Sequence, residues 1–190
     1  VYDYPAHFFT KRHWRIERRI PDPTRIREAV ALLKKAKRPA VIAGGGGIYA
    51  EAGKELLKFS ETFGIAVGET FAGKGAIQKP SPWLLGGLGV TGTSPAAEII
   101  SQADLVLCVG TRLTDFTTGS NSAFQNHNVK FIHINVCGHD AFKQGALPIL
   151  ADAREGLRVL TRAAKSAGVK TTAGYRKEIT VAKQKWEKLL

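Results

Sequence analysis

Four consecutive glycines, Gly44 to Gly47, follow the apolar run Ala40-Val41-Ile42-Ala43. Glycine lets backbone N–H groups approach an anion closely, and a helix starting behind them adds its positive pole. Gly45, Gly47 and Ala50 have the spacing of a dinucleotide-binding fingerprint, and Glu69, downstream, is placed to reach a ribose hydroxyl. Four glycines in a row meet that spacing easily. A tight turn with close helix–sheet packing, a bound nucleotide and contact with a neighbouring domain therefore stay open as readings. A second glycine-bounded loop, Gly110-Thr111-Arg112-Leu113-Thr114-Asp115-Phe116-Thr117-Thr118-Gly119, offers Arg112 as a two-pronged phosphate clamp and four threonine hydroxyls as donors. Asp115, three residues beyond Arg112, is the competing partner, and a structural ion pair between them is the plainer expectation.

Other reactive types are sparse. His133 lies inside an apolar run and reads as a core or edge residue, while His7, His13, His127 and His139 have no partner nearby in sequence. Cys108 and Cys137 cannot make a disulfide framework or a Cys-x-x-Cys pair, and neither has metal-ligand spacing with a histidine. Cys108, within Leu105-Val106-Leu107-Cys108-Val109, reads as a buried inert thiol. No nucleophile elbow, Ser–His–Asp order or paired carboxylates stand out. The sequence thus predicts no catalytic residue and no metal ligand in this chain.

The formal net charge of +12 raises a nucleic-acid reading. The basic residues are dispersed over an N-terminal arm, a helix end and the C-terminal segment, without interleaved stacking aromatics, so no nucleic-acid partner is expected. An acidic neighbour or a solvated surface accounts for the charge. No apolar stretch is long enough to span a bilayer and no secretory signal is visible. A cytoplasmic protein with no membrane partner is expected. The chain begins with Val1 and contains no Met, which reads as a piece of something longer.

The elements that would hold these loops follow from periodicity. Residues 1–21 form an aromatic, basic arm that ends at Pro21-Asp22-Pro23, where Asp22 is a natural N-cap and Pro23 suits the first helical position. A helix to residue 36 carries Ile26, Val30 and Leu33 on one stripe. The wholly apolar strand 40–43 suits a parallel sheet covered on both faces. A helix over residues 49–63 buries Ala52, Leu56, Phe59 and Phe63 and ends at Gly64, before a strand at 65–69. A long Gly- and Pro-rich loop follows, then a helix capped by Thr93 or Ser94, strands at 104–109, 130–135 and 147–150, and a helix over 153–167. The expected fold is α/β, a doubly wound, Rossmann-like parallel sheet in three α/β/α layers spanning residues 22–168. Residues 169–190 form a linker and a C-terminal helix striped with Tyr175, Ile179, Ala182, Trp186 and Leu189, which either packs back or leads into a further domain.

The motifs taken in order resemble a known family. Arg38-Pro39-Ala40-Val41-Ile42-Ala43-Gly44-Gly45-Gly46, Thr70 with Gly73-Lys74-Gly75, Leu88 to Thr93, Ala103 to Arg112, Lys130 to Val136 and Ala151-Asp152-Ala153 are similar to the central domain of thiamine-diphosphate-dependent enzymes, the acetolactate synthase superfamily. The two glycine loops at 86–93 and 110–120 and the arm most resemble the branch that hydrolyses a carbon–carbon bond of a cyclic 1,2-dione in myo-inositol catabolism. The resemblance implies thiamine diphosphate and Mg²⁺ in the full-length enzyme, held by flanking N- and C-terminal domains that supply the cofactor-activating Glu and a Gly-Asp-Gly metal motif. It also implies a homo-oligomer and a central domain that is itself non-catalytic. Some relatives bind FAD here, and the matching positions are Gly45, Gly46, Thr70, Leu88, Gly110, Thr111 and Arg112. Asn135 and Phe116 depart from the Asp and Arg of those relatives, which counts against FAD. An acetolactate-synthase-like carboligase or decarboxylase whose central domain binds FAD or another nucleotide is the alternative.

Overall fold

The computed structural model describes residues 2–189; the outermost residues of the expected arm and C-terminal segment, Val1 and Leu190, lie outside them. Asp22 caps α1 (Pro23–Lys35) as its sequence predicts, its carboxylate accepting from the Thr24 and Arg25 amides at 2.6 and 3.2 Å. These contacts hold its pKa below the usual carboxylate value, the Arg25 and Thr24 amides being the main cause. Ile26, Ala29 and Leu33 are the side chains that α1 buries. The strand β1 (Pro39–Ala43) is buried along its whole length.

The single helix expected over 49–63 is two. A five-residue helix, α2 (Gly45–Tyr49), is followed by α3 (Gly53–Phe63), and between them Glu51 takes a left-handed φ of 54°. The break lets Gly53 sit where a Cβ would lie 2.3 Å from the Ala76 carbonyl oxygen. Beyond it, α3 buries Leu56, Phe59 and Phe63 and ends on Gly64 at φ 66°, as the spacing predicts. Next come β2 (Ala66–Glu69) and β3 (Leu84–Gly87). The latter falls inside the stretch that reads as a long loop, because Leu-Leu-Gly-Gly has neither alternation nor β-branched residues.

The remaining elements are α4 (Ser94–Ser101), β4 (Leu105–Val109), α5 (Asp115–Thr118), β5 (Lys130–Asn135), α6 (Gly138–Ala141), β6 (Leu147–Leu150), α7 (Ala153–Ser166) and α8 (Ala173–Glu187). Thr93 precedes α4 but does not cap it with its side chain; its hydroxyl donates to the Leu85 carbonyl at 2.7 Å and ties α4 to β3. Asp152 caps α7 through the Arg154 and Glu155 amides.

All five strand pairings are parallel, in the order β3-β2-β1-β4-β5-β6. The order reverses between β1 and β4, which is where a doubly wound sheet opens a crevice at its C-terminal edge. Alternate residues feed two cores. Val41, Leu107 and Ile134 meet α1, α3 and α7 on one face; Ile42, Val106 and Phe131 meet α4 and α8 on the other. Helix α8 packs back on the domain: Tyr175, Ile179 and Ala182 are buried and the Tyr175 hydroxyl donates to the Pro39 carbonyl at 2.8 Å. The Arg38 guanidinium stacks 5.4 Å from the Tyr175 ring and pairs with Glu178.

Candidate functional site

The switch point is built from glycine for a packing reason. A Cβ on Gly44 would lie 2.4 Å from the Gly110 carbonyl oxygen, and one on Gly110, whose φ is +58°, would lie 2.5 Å from the Gly47 nitrogen. Neither contact leaves room for a side chain, so the two loops are glycine because their backbones touch. Three amides of the run are committed to backbone: Gly44 donates to Val109 at 2.8 Å, Gly46 to Gly110 at 2.9 Å and Gly47 to Gly44 at 3.0 Å. These are the contacts of close packing, and the Gly45 amide is not among them.

The other nucleotide-motif positions are woven into the same edge. Thr70 donates its amide to Ala43 at 2.9 Å and accepts from the Gly73 amide through its hydroxyl at 3.0 Å. The Leu88 amide donates to Glu69 at 2.7 Å, and the Gly110 amide to Ile134 at 2.9 Å. Thr111 is buried, and its carbonyl accepts from the Asn135 side-chain amide at 3.0 Å while the Asn135 oxygen accepts from Cys137. Asn135 is thereby a brace between the β4 and β5 loops. Glu69 does not present a carboxylate to a ligand: it is buried, accepts from the Ile77 amide at 3.1 Å and lies 4.0 Å from Lys74. It organises the loop after β2.

Arg112 is the exception, with an exposed side chain. The ion pair expected with Asp115 does not form, and among the described residues Arg112 has no salt bridge. Leu113 between them takes φ 46° and buries its side chain, and the helical run begins only at Asp115, so no helical spacing stacks residue 112 on 115. The Lys143 ammonium, itself paired with Asp140 at 2.8 Å, donates to the Arg112 carbonyl at 2.9 Å. Two exposed phenyl rings of these loops, Phe71 and Phe116, meet edge to face with centroids 6.3 Å apart. Nothing in the sequence pattern marks that pair, since its members sit 45 positions apart on different loops.

Cys108 and His133 lie beneath the edge, paired across β4 and β5. Burial pushes the Cys108 thiol up, which makes it inert as the sequence implies. His133 is fully buried, neither ring nitrogen has a hydrogen-bond partner, and burial lowers its pKa to about 4 against the opposing pull of Asp140. A groove of about 680 Å³ begins at Gly47 and Ile48 and runs between α3 and residues 75–79, with Glu51, Lys54, Lys58 and Arg154 on its walls. Among the described residues no group of three or more His, Cys, Asp or Glu side chains is arranged to hold a metal ion. No helix among them is long and apolar enough to cross a membrane.

Residues 26–160 match the family described as thiamine pyrophosphate enzyme, central domain. The chain belongs to that family. The doubly wound sheet and its glycine switch point are therefore those of a thiamine pyrophosphate enzyme central domain. Proteins named 3D-(3,5/4)-trihydroxycyclohexane-1,2-dione hydrolase from Bacillus cereus (strain ZK / E33L), Bacillus thuringiensis (strain Al Hakam) and Bacillus anthracis are each 47% identical to it over 187 residues. That match takes in 98% of this chain and 29% of each relative, so the central domain spans under a third of the length of the relatives it matches.

Proposed function

We propose that this chain is the central domain of a thiamine-diphosphate-dependent hydrolase that opens 3D-(3,5/4)-trihydroxycyclohexane-1,2-dione by adding water across a carbon–carbon bond in myo-inositol catabolism. The observation that carries the reading is the reach of the similarity. It extends past the family's 26–160 core into the arm and α8, at 47% identity over 187 residues. In this reading residues 1–21 are a linker arm, residues 22–168 the central domain, and residues 169–190 lead through α8 toward a following domain.

The cofactor, when bound, supplies the nucleophilic carbon and the electron sink of the reaction. The donor set described above does not suit the Mg²⁺ that accompanies it, so in this reading both are held by the flanking domains. This chain supplies a rigid spacer: two cores clamp the sheet, and backbone contacts between Gly44–Gly47 and Gly110 fix the edge that faces its neighbours. The assembled enzyme is a cytoplasmic homo-oligomer.

The test uses the full-length protein with the cyclic dione, thiamine diphosphate and Mg²⁺. Turnover that stops on chelation, with no Mg²⁺-dependent thiamine diphosphate binding to the 190-residue chain in calorimetry, is the expected result. Tight binding by the chain alone overturns the placement of the cofactor. Turnover of 2-oxo acids in place of the dione moves the protein to the carboligase alternative.

One observation favours a second reading, a nucleotide at Gly45, Gly46, Thr70, Leu88, Gly110, Thr111 and Arg112: Arg112 is exposed and has no salt bridge among the described residues. An Arg112→Ala change that weakens FAD or ADP binding at least tenfold supports it, since a charge-assisted clamp contributes about 1.5–3 kcal/mol. No detectable nucleotide binding by the unsubstituted chain removes it.

A further inference from the structure

The crossover from β2 to β3 carries no α-helix, only the 3₁₀ turn Phe71–Gly73. The chain that returns to β3 therefore runs beside α3 as an open strap, and the groove of about 680 Å³ lies between the two. Ala76 and Ile77 of the strap, both buried, and the half-buried Leu57 of α3 give it an apolar lining. At Gly53 the two backbones touch, leaving no room for a Cβ against the Ala76 carbonyl. A concave space of this size, with an apolar lining and a few charged groups around it, has the character of a small-molecule site.

The charges around the groove are unevenly used. Glu51 pairs with Arg154 at 3.5 Å and is clamped at 3.1 Å by Arg18 of the arm, which also holds Asp152 at 3.0 Å. Glu55 lies 3.9 Å from Arg154. These contacts occupy Arg154 and both carboxylates. Lys54 and Lys58 on α3 and Lys79 on the strap have no salt bridge among the described residues, and neither has Glu61. Lysines four positions apart on a helix repel each other and weaken it, a cost that a bound anion reverses. Lys54, Lys58 and Glu61 fall on one stripe of α3. At 1.5 Å per residue the two lysines are about 6 Å apart along the axis, and Glu61 is about 10 Å from Lys54.

We propose that this groove binds a small hydroxylated anion, with a phosphate ester or carboxylate at one end and a chain of hydroxyls at the other. The anionic head sits among Lys54, Lys58 and Lys79, whose ammonium groups donate charge-assisted hydrogen bonds to its oxygens. Glu61 repels a second anionic group and accepts from hydroxyls, so the groove selects molecules charged at one end only. The distance from the lysines to Glu61 is one that a chain of roughly six carbons covers. Gly47 and Ile48 line the same groove, so an occupant touches the glycine run itself.

Lysine acetylation of the full-length protein at low ionic strength, read residue by residue in the mass spectrometer, tests this with glucose 6-phosphate, gluconate and inorganic phosphate as probes. The expected result is about fivefold slower labelling of Lys54, Lys58 and Lys79 with glucose 6-phosphate or gluconate, and unchanged labelling of Lys165 and Lys170. Protection by glucose 6-phosphate alone assigns a phosphate ester; protection by gluconate alone assigns a sugar acid. Equal protection by inorganic phosphate overturns the selection of a hydroxylated ligand. No protection by any probe, or equal protection of every lysine, overturns the site. Calorimetry with the protecting probe follows. Lys54→Ala combined with Lys58→Ala should weaken binding at least tenfold, since two charge-assisted contacts are lost. Lys165→Ala combined with Lys170→Ala removes the same charge elsewhere and should stay within about twofold. Equal weakening in the two double variants reduces the effect to net charge and overturns the site.

Discussion

Substituting His133 by Leu should flatten the acid dependence of this domain's stability. The imidazole is fully buried in β5 against Cys108 of β4 and Pro148 of β6, with both nitrogens unpartnered. Asp140 and Lys143 are the charged groups that influence it, Asp140 favouring the protonated form and Lys143 opposing it, and burial outweighs both to bring the pKa to about 4 from 6.5. A histidine whose pKa is lower in the folded state takes up its proton more readily when unfolded. Its cost is therefore absent above about pH 6.5, grows as the pH falls, and levels off below about pH 4. With those two pKa values the loss at pH 5 is about 2 kcal/mol, and the full loss near pH 3 about 3 kcal/mol. Leu has nearly the same volume and no polar atoms. At pH 8 its variant should equal or exceed the parent by about 1 kcal/mol, the relief of an unsatisfied buried group. Urea unfolding of both chains at pH 8, 6.5 and 5 reads the difference directly, because titrations common to both cancel. The variant should pull ahead by a further 2 kcal/mol or so between pH 8 and pH 5. A stability difference independent of pH would refute the reasoning, and so would an NMR titration placing the His133 pKa above 6.

Gly110→Ala should unfold the chain or cost more than about 3 kcal/mol in urea melts, since the new Cβ meets backbone at a left-handed φ. Gly138→Ala, with nothing near its Cβ, should stay within about 0.5 kcal/mol. Tyr175→Phe should loosen α8, costing about 1 kcal/mol from the lost bond to the Pro39 carbonyl, seen as faster amide exchange across residues 173–187. Asp152→Ala removes the α7 cap and one Arg18 contact together. The cap alone is worth about 1 kcal/mol in thermal melts, and protease cleavage within the arm should quicken at the same time.

The sequence alone was enough to order the main helices and five of the six strands and to name the family, and the reasons are local. Asp22-Pro23 and Asp152 start helices because their side chains satisfy the amides that follow in the chain. Gly64 ends α3 because the turn there needs a left-handed residue. Ala40 to Ala43 and Leu105 to Val109 are central parallel strands because only strands covered on both faces carry apolar residues throughout. Where a residue's partner lies far away in the chain, tertiary structure decided. The packing reason for Gly44 and Gly46 appears only when Gly110 is seen against them, 60-odd positions later. Glu69 reads as a ribose ligand until Ile77 takes its carboxylate, and Arg112 reads as half of an ion pair until Leu113 turns inward between it and Asp115. The β3 strand has no signal of its own and exists because β2 offers it an open edge. The arm's clamp and the Phe71–Phe116 contact arise only once the parallel strands bring their C-terminal loops to one side, since such proximity is a property of the folded sheet and not of neighbours along the chain.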